Sequence, residues 1–231
     1  MALPSFVRLV EVSPRDGLTP EKTMVSTADK IELIDRLSQT GLRSIEATSF
    51  VSPKWIPQLA DAAEVFAGIA RAPGIAYPVL VPNERGLERA LASNVRQIAV
   101  FTAASDAFNL KNINCDIDES LRRIAPVVER ARAAGLWVRG YVSTVLGCPY
   151  QGAVPMADVT NRTLHEQLAL DDRQDDRALV LEVAIDQAGG HPRLVGDAGD
   201  AGGVEAVFDE ALLRGGQDPL ALCLGAGLGF G

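Results

Sequence analysis

Five short apolar runs alternate with helical patterns between residues 6 and 144, and that order leaves few folds open. Phe6 to Val12, Ser44 to Thr48, Ile75 to Val81, Gln97 to Thr102 and Leu136 to Thr144 read as strands. The first is followed by Ser26-Thr27-Ala28-Asp29, a capping signal of the S-x-x-D kind, and then by Ile31, Leu33, Ile34 and Leu37 at helical spacing up to Gly41. Helical patterns also cover Leu59 to Ala70, Asn83 to Ala92 and Ile117 to Ala134, the last stopped by Gly135. Strands that each lead into a helix predict a parallel sheet in α/β architecture.

Polar residues choose between a barrel and an open sheet. Arg15 with Asp16, Glu46, Asn83, Thr102, and Ser143 with Thr144 all fall at or just after the C-terminal ends of successive strands. In a TIM-type β/α barrel those ends converge on one mouth, where the active site is assembled from several strands. An open doubly wound sheet would favour a glycine-rich first turn, and Ser13-Pro14-Arg15-Asp16-Gly17 is not one. The expectation is therefore one barrel domain over residues 1–231. Eight strand-helix units need about 250 residues, and the fifth strand ends at residue 144 of 231, so the last three units are short and the barrel is incomplete or altered at its C-terminal end.

Composition excludes several classes of partner. No apolar run approaches the roughly 18 residues of a membrane span, and no basic segment followed by an apolar block begins the chain, so neither a membrane nor an export signal is expected. Three scattered cysteines, Cys115, Cys148 and Cys223, fit a reducing cytoplasm better than a disulfide scaffold or a structural zinc site. No basic patch with interleaved aromatics exists, which argues against nucleic acid. The net charge of −8 is uneven: residues 1–170 carry 18 acidic and 18 basic side chains, residues 171–231 carry 12 and 4. Twelve of the 21 glycines fall in residues 186–231, so a composition break lies near residue 170.

The stretch Val10-Glu11-Val12-Ser13-Pro14-Arg15-Asp16-Gly17-Leu18 carries the chemistry. A carboxylate at a strand end can hold a divalent cation, and a guanidinium beside it can pin a developing oxyanion or a substrate carboxylate with two parallel hydrogen bonds. A salt-bridged surface turn is the plain alternative for the same residues.

Val10 to Leu18 (VEVSPRDGL), Glu46 to Gln58 (EATSFVSPKWIPQ), Tyr77 to Asn83 (YPVLVPN), Lys111 to Cys115 (KNINC) and Arg139 to Gly152 (RGYVSTVLGCPYQG) together resemble the 3-hydroxy-3-methylglutaryl-CoA lyase family, from about residue 7 to about residue 160. Arg-Asp-Gly alone indicates only a wider superfamily of metal-dependent aldol-type and condensing enzymes. The Glu46 to Gln58 and Gly147 to Gly152 segments are more specific. One departure is Thr19, where relatives usually carry Gln.

The resemblance implies retro-aldol cleavage of an acyl-CoA substrate to acetyl-CoA and acetoacetate, the chemistry of leucine breakdown, with Mg²⁺ or Mn²⁺ as cofactor. It makes Asp16 a metal ligand and places Arg15 against the thioester oxygen as substrate-binding and catalytic cation. Arg15 is expected at an open mouth, replaceable by Met with little loss of stability. Glu46 is implied as an acid/base or a partner beside the metal; a carboxylate paired to Arg15 is the alternative. Cys148 reads best as a small buried residue shaping its turn, while Lys111, Asn112 and Asn114 either meet the CoA phosphates or form a solvated loop.

The likeness stops where the metal site should be completed. The family's His-x-His pair has no counterpart, since His165 and His191 are 26 positions apart. Cys223 only loosely echoes the family's cysteine loop, and the terminal Gly225-Ala226-Gly227-Leu228-Gly229 is not followed by a helix. Residues 1–166 are accordingly family-like and 167–231 a divergent tail, marked by Asp171-Asp172-Arg173-Gln174-Asp175-Asp176, in which Asp176 to Val183 still reads as helix. With three strands unprovided for, an open seam would be covered by aggregation or by contacts in a homo-oligomer. Two other classes stay open: a different condensing enzyme of the superfamily, and a defective homologue lacking the His pair.

Overall fold

The computed structural model describes residues 9–145 and 147–155, together with the backbone of two later strands. Among the described residues six strands form one parallel sheet in chain order: β1 (Thr48–Ser49), β2 (Val79–Leu80), β3 (Gln97–Ala103), β4 (Trp137–Ser143), β5 (Leu179–Glu182) and β6 (Ala221–Cys223). A lead segment joins the β1 side, where Glu11 bridges Ile45 in parallel and the Glu46 amide donates to the Glu11 carbonyl at 2.7 Å. Between the strands run α1 (Thr27–Leu37), α2 (Ala62–Gly68), α3 (Glu84–Ala92), α4 (Asp106–Ile113) and α5 (Ile117–Ala133).

Local chemistry starts and stops these helices. Ser26, Asn83, Ser105 and Asp116 each accept a hydrogen bond from the backbone N–H three residues on, satisfying a donor that the first helical turn leaves orphaned. After α5 the chain turns through Gly135 at φ +76°, a conformation that a side chain would oppose. Gln58 then fastens the loop ahead of α1: its side chain accepts from the Val25 amide at 3.1 Å and donates to the Thr23 carbonyl at 2.8 Å. The buried Lys30 ammonium is satisfied by the Gln58 carbonyl and the Asp61 carboxylate, 2.8 Å away.

The sheet buries both faces. Along β3, Ile98 and Val100 point outward into the layer shared with the helices, which also holds Ile34, Ile45, Val79, Leu87, Ile124 and Val128. Ala99 and Phe101 point the other way, into a smaller cluster with Val10, Leu80 and Tyr141. This period of two is why the strands read as nearly continuous apolar runs. The inner face is concave. Tyr141 on β4 donates to Glu46 just ahead of β1 at 2.6 Å, whereas three steps along a flat sheet would separate those strands by about 14 Å. A sheet curled this far, with helices on its outer face, is a β/α barrel wall.

Two expectations are corrected. Residues around Lys111 are not a loop, because Asp106–Ile113 is helical. Ser105 caps it, Asp106 accepts from the Ile117 amide at 2.9 Å and Asn114 ends it in the left-handed region, none of which gives a repeating apolar pattern. Asp176 to Val183 is not helical throughout, since Leu179–Glu182 pairs with β4 as β5. A short apolar run such as Leu-Val-Leu cannot be told from a buried helical turn by periodicity. Through β5 and β6 the tail supplies two strands where the sequence suggested none.

Gly86 lies in the first turn of α3, where a Cβ would stand 2.8 Å from the Phe50 carbonyl oxygen. Helix propensity alone would favour alanine by about 1 kcal/mol, but backbone cannot move aside as a side-chain tip can. Gly86→Ala should therefore destabilise the chain by about 1–3 kcal/mol, read as a lower urea midpoint; an unchanged or higher midpoint would show that the α3 packing yields freely.

Candidate functional site

The site begins where the lead segment ends. Ser13–Gly17 forms a wide turn in which the Leu18 amide reaches back to the Ser13 carbonyl at 3.2 Å and the Asp16 amide to the Val12 carbonyl at 2.7 Å. Pro14, near the start of that turn, costs it no donor. Glu11 braces the entry by accepting from the Ser13 amide at 2.7 Å, and the Thr19 hydroxyl donates to the Arg15 carbonyl at 2.8 Å. Thr19 thus adds a side-chain bond to the backbone ones that close the turn. Single-turn irregularities of this kind re-aim side chains at functional sites. Here Arg15 is directed inward, at 8% exposure, while the Asp16 side chain keeps 44%.

Three strands' worth of side chains then meet. Arg15 donates through Nε to Glu46 Oε1 and through Nη1 to Asp16 Oδ1 at 2.5 Å. Glu46 has no exposed surface, and its other oxygen accepts from the Tyr141 hydroxyl. A carboxylate this deep is tolerable only when paired and hydrogen-bonded. The lead turn, the stretch just ahead of β1 and β4 supply these four side chains, from Asp16 at the surface to Glu46 and Tyr141 inside.

Arg15, Asp16 and Glu46 are thus brought together as the sequence suggested, with one correction: Arg15 does not stand free at an open mouth but is buried against Glu46, so replacing it costs stability. Glu46 pairs with Arg15, the plainer of the two readings of that residue. Thr102 is diverted to the opposite face, where its hydroxyl meets Ser120 at 2.6 Å and Asn109 at 3.1 Å under α4 and α5. Asn83 is occupied as the α3 cap. Thr144 is buried at φ +63°, a strained setting for a β-branched residue, immediately before the loop that carries Cys148. Cys148 is buried in that loop, its sulfur accepting from the Ser105 hydroxyl at 3.1 Å, and the Cys148 and Gly152 backbones exchange hydrogen bonds of 2.8 Å; it shapes the turn. Burial pushes the Cys115 thiol up, against the opposing pull of Arg123. His165 and His191 lie outside the described residues, as do the side chain of Cys223 and the glycines after it.

Tyr141 was not singled out from the sequence. A signal existed: Arg139, Tyr141 and Ser143 recur at every second position of β4, polar groups on a face that should be apolar. As a metal ligand, Asp16 can offer a partly exposed carboxylate with one oxygen engaged by Arg15. Among the described residues no group of three His, Cys, Asp or Glu side chains converges to hold an ion.

With this geometry in view, comparison with known proteins gives a consistent result. The HMGL-like family model matches residues 6–166. Hydroxymethylglutaryl-CoA lyase, mitochondrial, of Bos taurus is 57% identical over 160 residues, which is 69% of this chain and 49% of that protein. The crystal structure of hydroxymethylglutaryl-CoA lyase from Pseudomonas aeruginosa superposes with a TM-score of 0.78 at 45% identity, covering 96% of this chain and 69% of that one. An HMG-CoA lyase from Acinetobacter baumannii in complex with coenzyme A and 3-methylmalate matches with a TM-score of 0.69 at 36% identity, over 78% and 57% of the two chains. The chain spans about half the length of the curated relatives it matches.

Burial separates the two carboxylates energetically. Glu46→Ala strands a buried guanidinium and should cost about 3–5 kcal/mol, whereas Asp16→Asn, at a partly exposed pair, should stay within about 1 kcal/mol. Urea unfolding of the two variants checks this; equal losses would mean that the Arg15–Glu46 pair is no more protected from water than the Arg15–Asp16 pair.

Proposed function

The chain belongs to the HMGL-like family, and on that premise we propose that it is a metal-dependent carbon-carbon lyase that cleaves 3-hydroxy-3-methylglutaryl-CoA to acetyl-CoA and acetoacetate. The observation that carries this reading is the buried Arg15–Glu46 pair at the barrel mouth, within the residues that the family model matches.

The chemistry asks for a fixed positive charge. When the bond between C2 and C3 of the substrate breaks, its electron pair moves onto the thioester carbonyl, and that oxygen becomes an enolate oxygen. Arg15, aimed at this oxygen, stabilises the transition state more than the ground state. A guanidinium free to swing would have to be ordered during the reaction. Its hydrogen bonds to Glu46 and Asp16 settle its position beforehand. With both oxygens occupied, Glu46 fits a positioning role better than proton transfer. Mg²⁺ or Mn²⁺ would lower the pKa of the substrate's tertiary hydroxyl. Asp16 suits such an ion as one oxygen ligand, while the described residues present no full set for a hard cation, so no step is derived through it.

The acyl-CoA class of substrate follows from the relatives' names and from the coenzyme A complex of the Acinetobacter enzyme. A cytoplasmic setting is supported by two buried free cysteines, Cys115 and Cys148. Among the described residues no helix is long and apolar enough to cross a membrane. A second reading, a homologue that keeps the Arg-Asp-Glu cluster without turnover, draws on the family match ending at residue 166.

The test is acetyl-CoA release from 3-hydroxy-3-methylglutaryl-CoA by the purified chain, with and without Mg²⁺ or Mn²⁺. Cleavage that needs the metal is expected, and Arg15→Met should reduce kcat by a factor of about 10²–10³, the usual worth of an oxyanion donor. No cleavage by the unaltered chain would favour the second reading. Normal turnover by Arg15→Met would leave Arg15 as a structural partner only.

A further inference from the structure

Arg15 owes its direction to Glu46, so what directs Glu46 matters equally. A glutamate side chain has a free terminal torsion, and one hydrogen bond at Oε1 leaves the carboxylate plane able to turn about that contact. The Tyr141 hydroxyl at Oε2, 2.6 Å away, closes the second side. Tyr141 is itself 1% exposed and packed with Val10, Leu80 and Ala99, and its donor reaches across the curved inner face of the sheet. The lead turn, the stretch just ahead of β1 and β4 thus converge on one carboxylate, with Arg15 at Oε1 and Tyr141 at Oε2.

We propose that Tyr141 is a positioning residue of this site: its phenol fixes the carboxylate of Glu46, and Glu46 in turn holds the Arg15 guanidinium toward the mouth. The link runs from the Tyr141 hydroxyl through Glu46 to Arg15 Nε. This rests on the lyase reading for its effect on turnover, but the mechanical coupling stands apart from it. Replacing Tyr141 by Phe removes a single oxygen, keeps the ring in its apolar cluster, and leaves Glu46 Oε2 buried without that donor.

The experiment combines nitrogen-15 NMR of the arginine side chains with kinetics on the full chain. The Arg15 Nε–H resonance is assigned by its disappearance in Arg15→Met. In Tyr141→Phe its solvent exchange should rise by about tenfold or more while the backbone amide of Val100, deep in β3, keeps its rate, the mark of a local rather than a global opening. Turnover should fall about 10- to 100-fold, the usual loss for a residue supporting a site from behind, with KM little changed. In the Arg15→Met background Tyr141→Phe should add nothing, because the residue it acts through is already absent.

Unchanged Nε–H exchange in Tyr141→Phe overturns the proposal, and so does an equal rise at Val100, which would make Tyr141 a packing residue. Additive losses in the double variant overturn it as well. If the unaltered chain shows no turnover while the Nε–H still responds to Tyr141→Phe, the lyase reading fails and the coupling stands.

Discussion

One buried negative charge organises this molecule. Glu46 sits on the inner face of the sheet with no access to water, and an isolated carboxylate there would be prohibitively unfavourable. Its pairing with Arg15 and its hydrogen bond from Tyr141 make it tolerable, and they also tie the lead turn, the β1 strand and β4 to one another. Such a cluster is a weak source of net stability, because desolvation offsets most of the Coulomb gain. Its value lies in direction: a guanidinium held by a buried partner does not have to be ordered when a charge develops beside it.

The scaffold is arranged to hold that cluster still. The wide turn Ser13–Gly17 directs adjacent residues to opposite destinations, Arg15 inward and Asp16 outward. Glu11 and Thr19 brace the turn from either end, at the Ser13 amide and the Arg15 carbonyl. Outside, the staple of Gln58, Lys30 and Asp61 fixes the long connection after β1, the same stretch whose sequence is most distinctive. Part of that distinctiveness is thus structural: Glu46 serves the site, whereas Gln58 serves the loops.

Much of this was legible in the sequence, for reasons that differ by residue. Helix starts such as Ser26 are local signals, and the alternation of strand and helix needs no tertiary information. Arg15, Asp16 and Glu46 could be gathered at one mouth because a barrel brings strand ends together. What was not read is the pairing of the inner partner: the alternation of Arg139, Tyr141 and Ser143 marks a polar face of β4, but Tyr141 lies 95 positions from Glu46 and the alternation does not name its partner. Thr102 misled for a related reason. A strand-end hydroxyl can face either layer, and its pairing with Ser120 and Asn109 depends on α4, a helix without an apolar repeat. The composition break near residue 170 agrees with the end of the family match at residue 166, yet β5 and β6 show that altered composition need not remove strands from a sheet.

The central claim is that Arg15, held from behind by Glu46, meets the oxygen on which charge develops. It is tested most directly by a crystal structure of the metal-loaded chain with 3-methylglutaryl-CoA, a thioester lacking the tertiary hydroxyl and therefore unable to undergo the cleavage. The account predicts an Arg15 guanidinium nitrogen within about 3 Å of the thioester oxygen, with Nε still donating to Glu46. A thioester bound with its carbonyl turned away from Arg15, or an Arg15 that leaves Glu46 to reach it, would contradict the account.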